Sequence, residues 1–177
     1  GGVYEFHKDS LIRIDKSYKL RLQIDATVFV KNDTVFKYGG YGFWSVRNFI
    51  TFFDPNSKEW EILPAQNSDI IPGGTIASKY AISSDEIIFL GGEKLNVFDQ
   101  VDFSPANEIW KFNFKDKIWT FLGNSTLNFS DFKAYVQMGE EILFLDDTDL
   151  TLINPFTNEV TKFSNTTLHK KIIVTKN

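Results

Sequence analysis

Thr34-Val-Phe-Lys-Tyr-Gly39-Gly40 and Glu86-Ile-Ile-Phe-Leu-Gly91-Gly92 each end an apolar run in a pair of glycines. Runs rich in β-branched and aromatic residues read as strands. Adjacent glycines permit the positive φ and close backbone approach needed where a strand leaves a sheet. After each pair come an insert, a further strand, a polar turn and a strand led by tryptophan. The first copy runs Phe49-Ile-Thr-Phe-Phe53-Asp54-Pro55-Asn-Ser-Lys-Glu-Trp60. The second runs Glu108-Ile-Trp-Lys-Phe112-Asn113-Phe-Lys-Asp-Lys-Ile-Trp119. In both, six residues separate an aromatic from the tryptophan, Phe53 from Trp60 and Phe112 from Trp119. Large rings so placed are expected to fill the space between neighbouring sheets.

A third copy is degenerate but in register. Glu141-Ile-Leu-Phe-Leu145 ends in Asp146-Asp147 in place of glycines, and Ile153-Asn154-Pro155 leads at the same spacing to Val160 in place of tryptophan. A strand also precedes each of these runs across a tight polar turn: Ala26–Val30, Lys79–Ser83 and Lys133–Met138. The unit is thus four strands. Full units are expected over 23–64, 78–122 and 133–164. Before them, 1–22 reads as the end of an earlier unit, with Gly1-Gly2 closing its second strand and Leu11–Asp15 and Tyr18–Leu22 as its last two. After them, 168–177 reads as the first strand of a further unit, over Lys171–Thr175.

The strand-ending diglycine, the aromatic before tryptophan and the period near 50 residues resemble the kelch repeat family. The resemblance implies an all-β fold of kelch-type β-propeller blades, each of four antiparallel strands packed radially around a channel. Asp146-Asp147 and Val160 depart from both hallmarks in the third unit. Three blades and three spare strands read as an incomplete propeller. Self-association or the remainder of a longer chain is expected to complete the ring, unless the terminal strands close a four-bladed one.

Composition agrees with strands and narrows the partners. Among 177 residues there are 18 Phe, six Tyr and four Trp, which suit pleated, half-buried surfaces. A net charge of −4 with mixed signs leaves no basic footprint for a nucleic-acid partner. There is no Cys, hence no disulfide or thiolate metal site. No apolar run reaches the roughly 18 residues of a membrane-inserting helix. Sequons at Asn32, Asn124, Asn128 and Asn165 lean towards export without deciding the compartment.

In such a blade the long connections share one face. Binding residues concentrate on loops held by a rigid scaffold, so the inserts Tyr41–Asn48 and Glu93–Asn107 and the linkers Ala65–Ala77 and Gly123–Phe132 are where a site is expected. Tyr41, Phe43, Trp44 and Arg47 are residue types of interface hot spots and of sugar-stacking platforms; the alternative is that Phe43 and Trp44 cap the blade core. Lys94, Asp99 and Asp102 are the charged candidates of the second insert, and a solvated polar loop explains them equally. Asp146-Asp147-Thr148-Asp149 offers oxygen ligands for a hard cation, but Asp is favoured in such turns anyway. His7 and His169 lack ligand spacing. No metal or cofactor is assigned.

The resemblance implies first a non-catalytic interaction module that grips a protein or peptide through the long-loop face. The alternative is a carbohydrate-binding or sensing domain of a cell-surface or periplasmic protein. A sugar-modifying enzyme comes third. The absence of Cys removes the Cys–Tyr cross-link of kelch-like copper oxidases, and no catalytic pair can be named for a kelch-like epimerase.

Overall fold

The computed structural model describes residues 2–67, 69–96 and 102–164. Among them every regular element is a strand. Three four-stranded antiparallel sheets follow one another, each with its strands in sequence order. The first contains Thr27–Lys31, Thr34–Tyr38, Ile50–Asp54 and Glu59–Leu63. Lys79–Ile82, Glu86–Leu90, Glu108–Asn113 and Ile118–Asn124 make the second. Ala134–Met138, Glu141–Leu145, Asp149–Asn154 and Glu159–Ser164 make the third.

The sheets stack face to face like blades. Phe29, Tyr38 and Ile50 of the first meet Ile87, Phe89, Phe112 and Trp119 of the second in one buried cluster. Tyr38 and Phe89 stack with ring centroids 4.0 Å apart. On its other face the second sheet presents Ala81, Ile88 and Leu90 to Ile142, Phe144 and Ile153 of the third. The middle sheet is therefore apolar on both sides, as a sandwiched sheet must be. The first two sheets are also tied where their leading strands begin: Thr27 Oγ1 donates to the carbonyl of Ser78, the residue before Lys79, at 2.7 Å.

The repeat is visible in its turns. Between the third and fourth strands, Asp54, Asn113 and Asn154 each accept hydrogen bonds from the two backbone amides two and three residues on. Lys58, Lys117 and Asn158 then take a positive φ. An Asx residue followed by one αL position reverses the chain compactly. The third unit keeps this device although it has lost its glycines and its tryptophan.

The N-terminal segment departs from expectation. Its hairpin is Tyr4–His7 paired with Ser10–Arg13, turned at Lys8-Asp9, and Tyr18–Leu22 forms no strand. Gly2 precedes this hairpin instead of closing a strand, and Gly1 lies outside the described residues. The reason is tertiary. Asp15 Oδ1 accepts from the Ser17 amide, Ser17 Oγ accepts from the Trp60 amide at 2.5 Å, and Lys16 N–H donates to the Lys58 carbonyl. The segment is thereby tied along the last strand of the first sheet. The strand expected over Lys171–Thr175 lies outside the described residues.

Candidate functional site

The long inserts are small hairpins, not open loops. In the first, Tyr41–Gly42 pairs with Ser45–Val46; in the second, Glu93–Leu95 pairs with Phe103–Pro105. Linkers stitch them into a layer across one end of the sheets. Ile24 and Tyr41 exchange backbone hydrogen bonds of 2.8 Å, and Ile76 and Glu93 exchange bonds of 2.9 Å one unit later. Gly40 N–H donates to the Thr75 carbonyl, and Thr75 N–H to the Arg47 carbonyl. The diglycines make this approach feasible. Gly39 has φ +69°, and a Cβ there would lie 2.2 Å from the Thr75 oxygen.

At the tip of the first hairpin, Phe43 and Trp44 are the two connecting residues and both have positive φ, 52° and 64°. That is the pattern of a type I′ turn, which Asn, Asp and Gly normally occupy because side chains crowd the backbone there. The same geometry connects the first two strands of the first sheet, and there the residues are Asn32-Asp33. Holding two aromatics in αL costs on the order of 1–2 kcal/mol each. Yet Trp44 gains no burial from it, being 90% exposed. Phe43 is about half exposed, its ring 6.4 Å from that of exposed Tyr18. Neither residue caps the blade core.

Beside Trp44 a groove of about 420 Å3 opens between the two hairpins. Trp44, Ser45 and Val46 form one wall, Lys94, Leu95 and Asn96 the other, and Gly73-Gly74 lies between. Gly74 is small for a reason: a Cβ there would come within 2.5 Å of the Val46 carbonyl oxygen. Lys94 is held by Glu108 at 2.5 Å, and Trp110 Nε1 donates to the other Glu108 oxygen at 2.9 Å. Burial alone would push the Glu108 carboxyl up, but these two partners outweigh it and hold it below the usual carboxylate range. The groove thus offers an exposed indole, a fixed ammonium and small polar groups.

Of the residues expected from the sequence, the structure brings Trp44 and Lys94 together in this groove. Tyr41 lies behind it, its ring edge-on to Phe103 at 6.4 Å between the hairpins. Arg47 places its guanidinium over Phe49, 5.8 Å from the ring centre. Asp102 contributes its carbonyl to Asn96 N–H, closing the second hairpin. Asp99 lies outside the described residues. Asp146 Oδ1 accepts from the Thr148 and Asp149 amides in its own turn. Among the described residues no three acidic or imidazole groups gather as metal ligands. Ser45, Gly73, Gly74 and Asn96 were not among the binding residues expected from the sequence, although Ser45 lies within the Tyr41–Asn48 insert and Gly73-Gly74 within the Ala65–Ala77 linker.

No family model and no curated protein matches this chain. The chain is similar in fold to YjhT. The solved structure titled "Structure of YjhT" aligns with a TM-score of 0.60 and 16% identity, covering 80% of this chain and 52% of that one. The chain thus spans about half the length of YjhT. At this identity the likeness with YjhT carries the fold, and the groove must be argued from its own residues.

Proposed function

We propose that this chain is a set of kelch-type propeller blades acting as a non-catalytic interaction module, whose long-loop face binds a protein or peptide at Trp44. The observation that carries this reading is the strained display of Trp44. A turn that favours Asn-Gly instead holds Phe-Trp and leaves the indole almost wholly in solvent. Strain kept against local preference marks functional positions. An exposed aromatic beside a groove with a fixed cation is the kind of anchor on which interfaces concentrate their energy. Phe43, Tyr18 and Ile24 extend the apolar surface around it. Peptide selection from a random library on the folded chain tests this. Selected peptides should lose at least tenfold in affinity on Trp44→Gly, a residue the turn accepts. Peptides indifferent to Trp44→Gly, or binding of oligosaccharides alone on a glycan array, would overturn the reading.

The carbohydrate reading has its own support, since Trp44 borders a concave groove flanked by Ser45, Lys94 and Asn96. The glycan array is its test. We further propose that additional blades, from the rest of a longer chain or from a second copy, flank the three sheets. Val28, Val30 and Ile62 on the outer face of the first sheet, and Val136, Met138 and Leu145 on that of the third, are exposed. Blade stacking buries the corresponding faces between the sheets described. Light scattering on this chain alone should therefore show association, and a stable monomer would count against completion by a second copy.

A further inference from the structure

The fourth strands of the three sheets can be compared position by position. Trp60 pairs with Phe53, Trp119 with Phe112, and Val160 with Ile153, all facing the preceding unit. The two tryptophans are buried, at 5% and 4% exposure. Trp119 packs its indole against Phe112, Tyr38 and Phe89, with ring centroids 4.9–5.8 Å away, in the seam between the first and second sheets. Val160 occupies the same place in the seam between the second and third sheets, and it is 52% exposed.

The seam has not collapsed around the smaller side chain. A cavity of about 290 Å3 remains there, walled by Leu90, Ile109, Leu122, Phe129, Ile153 and Val160. Exposed Asn124, Thr126 and Asn158 complete its rim. The strands that frame it are held from both sides by ladder hydrogen bonds and by the Phe129–Phe144 contact at 5.5 Å. An apolar cavity of about 150 Å3 already admits benzene, so this one has room for a bicyclic ring. Its walls are mainly aliphatic and aromatic; half-buried Ser125 also lines it, its Oγ accepting from the Leu127 amide at 2.9 Å, while exposed Asn124, Thr126 and Asn158 stand at the opening.

We propose that this vacant tryptophan position is a binding site for a free planar aromatic molecule of indole size, its ring in the seam and its polar substituent among Asn124, Thr126 and Asn158. The chain itself supplies the precedent for the occupant, because the two sister positions are filled by indoles. The site is separate from the Trp44 groove and does not depend on its function.

Indole and tryptophol serve as probes, with binding read by calorimetric titration and by saturation-transfer NMR on the intact chain. Saturable one-to-one binding is expected. Val160→Trp should fill the seam from within, raise the melting temperature and weaken probe binding at least tenfold. Val160→Phe, a smaller fill, is read alongside in case the indole overpacks, and should weaken binding in the same direction. Trp44→Gly should leave probe binding unchanged, so loss of peptide binding and loss of probe binding fail independently. The proposal is overturned if neither probe binds the wild-type chain saturably. It is equally overturned if the folded Val160→Phe or Val160→Trp variant binds as the wild type does.

Discussion

Gly39→Ala and Gly139→Ala make a matched pair, because the two glycines share a conformation and differ in surroundings. Their φ values are +69° and +66°. A Cβ at either position therefore incurs the left-handed penalty of roughly 1–2 kcal/mol. At Gly139 nothing lies within 4 Å of the added atom, so that penalty is the whole cost. At Gly39 the new Cβ would sit 2.2 Å from the Thr75 carbonyl oxygen, a backbone atom that must retreat by nearly an ångström. The same oxygen accepts from Gly40 N–H at 2.9 Å, and Thr75 N–H donates to the Arg47 carbonyl. Displacing a buried peptide group from its partners costs about 1–3 kcal/mol more. Gly39→Ala should thus lose about 2–5 kcal/mol against about 1–2 for Gly139→Ala, a difference of about 1–3 between the two. For a chain of this size the melting temperatures should fall by roughly 10 °C and roughly 5 °C. Urea denaturation followed by tryptophan fluorescence, with thermal melts by circular dichroism, measures both. Equal losses within about 0.5 kcal/mol would refute the claim that the diglycine serves close approach between strand end and linker.

Three further outcomes are expected. Trp119→Ala should cost about 3–5 kcal/mol in denaturant titration, since it empties the seam between the first two sheets; a loss below 1 kcal/mol would show that the seam collapses freely. Replacing Phe43-Trp44 by Asn-Gly should raise stability by about 1–2 kcal/mol, by relieving the turn while removing the indole; lower stability would mean the rings contribute packing. Lys37 makes stability depend on pH. It is 3% exposed, with its ammonium 3.7 Å from the centre of the Trp60 ring and donating to the Leu20 carbonyl. Burial lowers its pKa to about 8, against the opposing pull of Asp15. Between that value and its ordinary 10.5 the unfolded chain binds more protons than the folded one, so stability should rise with pH from about 8 upward. Burial moves the buried Tyr38 hydroxyl the other way, and tyrosine ionisation in the unfolded chain opposes the rise above about pH 10. Lys37→Met should reduce the rise between about pH 8 and 10, leaving the part that comes from Lys79, whose pKa burial also lowers, and an unchanged slope would place its origin elsewhere.

Strands and turns were legible because their signals are local. Thr34–Tyr38 and Glu86–Leu90 carry β-forming side chains between turn residues, and Asp54, Asn113 and Asn154 each bond amides within three residues. The error at Tyr18–Leu22 has the complementary cause. Tyr18, Leu20 and Leu22 alternate as a strand would, but Lys16 and Ser17 just before them are bonded to chain more than forty residues away. Of the site, Trp44 and Lys94 were named from residue type alone, with no sign that they would face one another across Gly73-Gly74.

By itself, the sequence determined the all-β class, the four-strand unit and the register of the degenerate third copy, down to Val160 standing where tryptophan stands twice before. These follow from side-chain periodicity and turn chemistry, which act over a few residues. Only the tertiary structure decided that Trp44 is displayed, that two inserts fifty residues apart share a groove, and that the seam at Val160 stays open. Each of these depends on how rigid sheets stack. Ladder hydrogen bonds make each sheet stiff, so the loss of one large side chain in a seam does not draw two packed sheets together locally.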